Sequence, residues 1–150
     1  MFNKILVPLD GSTLSESILP QAIAIAEPAG AGIILFRVLE AMDKGVRETM
    51  GEDLAQKLDE VNQDEVKAYL KDVADNLKRQ GLKTDVVTIL GRPAESIIEY
   101  AGTHAVDLIV MATHGRSGLS RWAFGSVTDK VLHQSPVPVL IGPVVGAPRG

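Results

Sequence analysis

Five short apolar runs, each closed by a turn and separated by stretches with helical periodicity, constrain this chain more than any other feature. They are Ile5-Leu6-Val7-Pro8-Leu9, Ile33-Ile34-Leu35-Phe36-Arg37-Val38-Leu39, residues 82–90, Val106-Asp107-Leu108-Ile109-Val110-Met111-Ala112 and Val137-Pro138-Val139-Leu140-Ile141. A run that is apolar at nearly every position buries both faces of a strand, which requires a parallel sheet covered by helices on each side. The run over 82–90 differs, since Lys83, Thr84 and Asp85 stand beside Val86, Val87 and Ile89. That mixture suits an edge strand.

The intervening stretches supply the helices. Thr13 and Glu16 have capping-box spacing, and Leu14, Ile18, Ala22, Ile25 and Ala26 follow at helical intervals. Pro20 inside this pattern predicts a kink near Glu16, and Pro28-Ala29-Gly30-Ala31-Gly32 ends the helix. Residues 40–51, with Gly45 and Gly51 and neither period, read as an exposed loop. Over 52–80, Leu54, Leu58, Val61, Val66, Tyr69, Leu70, Val73 and Leu77 mark a long amphipathic helix. Its spacing drifts from a strict heptad, which favours packing on the sheet over a coiled-coil seam. Gly81 caps it, Gly91-Arg92-Pro93 turns the chain, and Ala94, Ile97, Ile98 and Ala101 predict a short helix ending near Gly102. A last helix carries Val127, Val131 and Leu132 and stops at Ser135-Pro136. Residues 1–142 are expected to form one domain, and the Gly/Pro-rich residues 143–150 a flexible C-terminal tail.

Composition removes several classes of function. A net charge of −4, with no dense run of Lys and Arg, argues against nucleic acid as a partner. The absence of cysteine excludes disulfides, thiolate zinc sites and thiol nucleophiles, and His104, His114 and His133 lack metal-ligand spacing. No apolar run approaches the ~18 residues of a membrane span, and Met1 leads directly into a strand without a leader pattern. A cytoplasmic location is the simplest expectation.

Five strands alternating with helices predict an open α/β sheet, parallel throughout, in the order 3-2-1-4-5 with helices on both faces. The winding then reverses between the first and fourth strands, and a ligand binds at their carboxyl ends. These ends are Pro8-Leu9-Asp10 and Met111-Ala112. Beyond Ala112 comes Thr113-His114-Gly115-Arg116-Ser117-Gly118-Leu119, and then Gly125-Ser126-Val127-Thr128 opens the last helix. Strand, glycine loop and helix N-terminus together gather backbone N–H groups suited to phosphate.

In Val7-Pro8-Leu9-Asp10-Gly11-Ser12, Gly91-Arg92-Pro93-Ala94 and residues 107–126, the chain resembles the nucleotide-binding branch of the universal stress protein family, with its adenine nucleotide alpha hydrolase-like fold. That branch carries Gly-x2-Gly-x9-Gly-(Ser/Thr). Gly115, Gly125 and Ser126 fit the pattern, and Ala112 replaces its first glycine. Alanine adds one methyl group and accepts ordinary strand dihedrals. The resemblance implies ATP as ligand, with Mg carried by the phosphates. Asp10 would contact the adenosine, and Pro8, Leu9, Val38 and Met111 would line its pocket. Ala112 would lie at the loop entrance, while Gly115, Gly125, Ser126, Val127 and Thr128 would hold ribose and phosphates. It implies a regulatory role in the stress response, an unidentified protein partner, and a homodimer formed by antiparallel pairing of residues 137–141, an apolar edge that Pro136 and Pro138 shorten.

Structural roles compete for the same residues. Asp10 can cap the turn into the first helix, Ser126 can be an N-cap, and His114 fits a loop hydrogen-bonder better than a general base. Arg116 and Arg121 can be solvated charges, and Trp122 and Phe124 can anchor the loop to the core. A weak ATPase or phosphotransferase is the alternative activity, but no Walker lysine follows the glycines and no base is evident. A protein-interaction module without nucleotide is the remaining class. A dinucleotide-binding domain lacks its GxGxxG after the first strand, and a phosphoacceptor receiver lacks an acid at the end of the third.

Overall fold

The computed structural model describes residues 2–112 and 126–142. Its strands are β1 (Lys4–Pro8), β2 (Gly32–Leu39), β3 (Thr84–Leu90), β4 (Leu108–Ala112) and β5 (Val139–Gly142). They form one sheet in the order β3-β2-β1-β4-β5, every neighbouring pair parallel. Its helices are α1 (Thr13–Glu16), α2 (Leu19–Ala29), α3 (Lys44–Met50), α4 (Glu52–Arg79), α5 (Pro93–Thr103) and α6 (Ser126–Gln134). The capping box expected of Thr13, and the contact expected of Leu14, lie outside the described side chains. The tail expected over 143–150 also lies outside the described residues.

Alternation along each inner strand divides the core in two, because successive side chains leave opposite faces. Ile5, Val7, Ile33, Leu35, Leu108 and Val110 pack beneath Ala22 and Ala26 of α2 and Leu70, Ala74 and Leu77 of α4. Leu6, Ile34, Phe36, Val38, Ile109 and Met111 pack beneath Ala94, Ile97 and Ala101 of α5 and Val131 of α6.

Three local readings change. Pro20 falls in the first turn of α2, where its missing N–H costs no helical bond, so the expected kink becomes a break at Ser17 and Ile18. The loop expected over 40–51 contains α3: Asp43 caps it through Oδ1, accepting from Gly45 N (2.9 Å) and Val46 N (3.2 Å). Arg47 then reaches forward to Glu52 and Asp59 of α4, both at 2.7 Å. In the last apolar run the strand begins only at Val139. Pro138 has no N–H, and its carbonyl accepts from Ile109 N at 3.0 Å.

The packing of α4 on the sheet holds for only part of its length. Its 28 residues span roughly 42 Å at ~1.5 Å per residue, while the eight residues of β2 reach roughly 26 Å. The excess lies at the carboxyl end of the sheet, where α3 leads in from β2. Leu70, Ala74 and Leu77 are buried on the sheet side and Ala55 is buried within the overhang, whereas Leu54, Leu58 and Val61, on the side turned away from the sheet, face solvent. Gly81 (φ +87°) then closes the helix, its N–H donating to Lys78 O at 2.9 Å.

Candidate functional site

The order 3-2-1-4-5 puts the reversal of winding between β1 and β4, with Ile5 beside Leu108 and Leu6 beside Ile109. Pro8, Leu9 and Asp10 leave one side of the crevice, and Met111 and Ala112 the other. The structure therefore brings these predicted residues to one place. Val38, at the end of β2, shares a packed cluster with Met111, and Val127 of α6 packs against that cluster. Ser126 is exposed and Ala112 and Thr128 half-buried, so the first turn of α6 reaches the surface near the crevice floor. Gly115 and Gly125, together with His114, Arg116, Arg121, Trp122 and Phe124, lie outside the described residues.

Two predicted pocket residues sit deeper than expected. Leu9 packs into the cluster under α2 and α4, on the face opposite Val38, with its N–H donating to Phe36 O at 2.8 Å. Met111 is fully buried. A strand end buried on both faces turns alternate side chains into core, so what such residues offer a ligand is chiefly main chain.

Asp10 is 1% exposed. Its Oδ1 accepts from Ser12 N at 2.8 Å and from Ser12 Oγ at 2.5 Å. Asp10 N donates to Ser15 Oγ (3.1 Å), and Ser15 Oγ donates to Ser12 O (2.9 Å). The turn-capping role is thus present, and it presets the loop after β1. Capping and ligand contact use different lone pairs of one carboxylate and are compatible.

Arg37 was legible only as the single charge in an apolar strand, and the structure gives it a place beside this loop. It is 6% exposed, and its guanidinium lies so close to Gly11 that a Cβ there would overlap Nη1. Gly11 also has φ +87°, a conformation glycine adopts without strain. Arg37 borders a cavity of about 220 Å³ with Asn62, Glu65 and Tyr69. The Tyr69 hydroxyl donates to the Glu16 carboxylate, joining α4 to α1, and burial raises the Glu16 pKa.

On the other face, Lys130 Nζ meets Glu95 Oε1 at 3.0 Å, tying α6 to α5 and holding the Glu95 carboxyl below its ordinary range. Among the described residues, no group of three or more His, Asp or Glu side chains is placed to hold a metal ion.

Comparison with known proteins resolves the family. The family model for the universal stress protein family matches residues 1–143. The chain belongs to that family. Universal stress protein MJ0531 of Methanocaldococcus jannaschii is 32% identical over 144 residues, covering 94% of this chain and 82% of that one. Universal stress protein YxiE of Bacillus subtilis is also 32% identical, covering 94% of this chain and 99% of that one. Among solved structures, that of MJ0577 superposes with a TM-score of 0.81 at 29% identity, covering 98% and 99% of the two chains. An Arabidopsis thaliana family member solved with AMP bound has a TM-score of 0.63 at 16% identity, covering 96% and 93%. A universal stress protein solved in complex with cAMP has a TM-score of 0.69 at 23% identity, covering 95% and 98%. At those two identities the likeness is one of fold.

Proposed function

We infer that residues 1–142 act as one ATP-binding domain with a regulatory role in a cytoplasmic stress response. The observation that supports this reading is that Asp10 and Ala112 follow the two strands at the reversal point of the sheet, while Val127, in the first turn of α6, packs against the cluster that holds Val38 and Met111. Adenosine would lie over Pro8, Leu9, Asp10 and Val38, with main-chain groups of Leu9 and Met111 beside it. The phosphates would meet Gly115, Gly125, Ser126 and Thr128, where the N–H groups opening α6 and its dipole favour negative charge. Family members solved with AMP and with cAMP make an adenine nucleotide the natural ligand class to test. Magnesium would enter on the phosphates.

A homodimer would form across β5, the end strand among the described residues, which carries Val139, Leu140 and Ile141, half-buried in this chain. Pro136 and Pro138 confine the ladder to that short stretch. Thermal melting with ATP tests the ligand: a nucleotide at 100 times its Kd stabilises the fold by ~2.7 kcal/mol. An unchanged melting curve at millimolar ATP would favour the protein-interaction module. Sedimentation at micromolar concentration tests the dimer, and a monomer mass refutes it.

A further inference from the structure

Where α4 outruns the sheet, its exposed face carries Leu54, Leu58 and Val61 at i, i+4 and i+7, residues that are 51, 43 and 53% exposed. Val46 on the neighbouring α3 is 50% exposed. A row of that spacing is one apolar stripe along a helix; at ~3.6 residues per turn it stands well round the axis from Leu70 and Leu77, which meet the sheet, and it stays about half exposed among the described residues.

Charge identifies the kind of partner. Residues 43–65 hold eight carboxylates and three cations, a net charge of −5; the rest of the chain holds eleven carboxylates and twelve cations, a net charge of +1. The acidity of the protein is therefore local to this overhang. Arg47 is already engaged by Glu52 and Asp59, and its paired hydrogen bonds hold Glu52 ionised. Lys44 and Lys57 remain against the other six carboxylates. Asp53 and Asp64 flank the stripe, and Glu65 continues its row one turn beyond Val61.

A second copy brought onto this face would set like charge against like charge, and an anionic lipid surface would be repelled in the same way. A cationic amphipathic helix meets both requirements. We propose that the α3–α4 overhang docks such a helix from another protein, its apolar side on Leu54, Leu58 and Val61 and its Lys or Arg side chains toward Asp53, Asp64 and Glu65. The geometry is that of a helix laid along an apolar stripe, with charge setting partner choice and encounter rate. Leu54, Leu58, Val61, Asp53 and Asp64 stand clear of the loop after β1, while Glu65 also borders the cavity beside Arg37.

The probe is a labelled synthetic amphipathic helix of Leu and Lys, roughly five turns long at ~3.6 residues per turn, followed by fluorescence anisotropy. A Leu/Glu helix of the same periodicity serves as control. The intact protein is expected to bind the cationic helix and ignore the anionic one. The double variant L54S/L58S is expected to weaken binding by about tenfold or more, equivalent to ~1.4 kcal/mol. D53K/D64K is expected to weaken it comparably, and added salt to weaken it progressively. All the substituted side chains face solvent, and far-UV circular dichroism checks that both variants keep the fold. No binding by the wild type overturns the proposal. So does equal binding by L54S/L58S, which would mean ionic adsorption alone, and so does an oligomer dispersed by L54S/L58S in sedimentation, which would make the occupant a second copy.

Discussion

The two ends of the sheet are built differently. At the amino ends the strands are tied to one another by main chain and one carboxylate. Asp107 Oδ2 accepts from Asn3 N (2.7 Å) and Lys4 N (2.9 Å), Asp107 N donates to Lys4 O (2.9 Å), and Lys4 Nζ donates to His104 O (2.9 Å). Gly32 N completes the tie by donating to Asn3 O at 2.9 Å. At the carboxyl ends β1 and β4 part, their pairing running no further than Leu6 and Ile109. There lie the buried Asp10 and Arg37, the cavity beside Gly11, the start of α6 and the overhang of α4. In a parallel sheet every strand hands its chain to a helix at this end, so polar loops and helix N-termini collect there while the other end can be closed. The closed end sets register, and the open end is left for chemistry.

Substitutions at the two ends should therefore separate binding from stability. The largest effect is expected of Gly115→Val or Gly125→Val: ATP affinity falls by about a hundredfold or more, ~2.7 kcal/mol, in calorimetric titration, while urea unfolding stays cooperative. Normal binding by both variants would place the phosphates elsewhere. Next comes a contrast within α4. Leu70→Ala, under the sheet, should cost ~2–5 kcal/mol in urea unfolding, whereas Leu58→Ala, on the overhang, should change stability by no more than about 0.5 kcal/mol. Equal costs would mean that the overhang is packed.

Gly11→Ala should cost roughly 1–2 kcal/mol from its positive φ, and it should also displace the Arg37 guanidinium. Asp107→Ala should have the smallest effect on function, leaving ATP affinity unchanged while lowering Tm at neutral pH. The N–H groups of Asn3 and Lys4 hold the Asp107 carboxyl below its ordinary range. Its stabilising contribution is thus complete above the usual carboxylate range and is lost as pH falls through the depressed value in the folded state. The Tm gap between wild type and Asp107→Ala should close as acid is added. A gap that widens in acid would reverse the assignment.

Most of this architecture was legible because the strands carry it alone: Val- and Ile-rich runs leave no other way to bury both faces, and the strand order then fixes the crevice. Residues 40–51 misled because α3 is too short to show a period and is held by contacts beyond itself, Asp43 at its start and Arg47 reaching to Glu52 and Asp59. The helical period of α4 was plain, but its apolar residues are spread over more than one side of the helix, and the period alone does not say which of them meet the sheet. At the site, Asp10 and Ala112 followed from topology. Arg37 stood out as a lone charge, yet its approach to Gly11 is a tertiary fact that neither residue announces.

The most direct test of the crevice is a titration of the ¹⁵N-labelled protein with ATP, followed by amide chemical shifts. The largest changes are expected at Asp10, Val38, Ala112, Val127 and Thr128, with Asn3, Lys4 and Asp107 at the opposite end undisturbed. Shifts centred on the amino ends of the strands, or on Leu54 and Leu58 of α4, would contradict a nucleotide site at the reversal point.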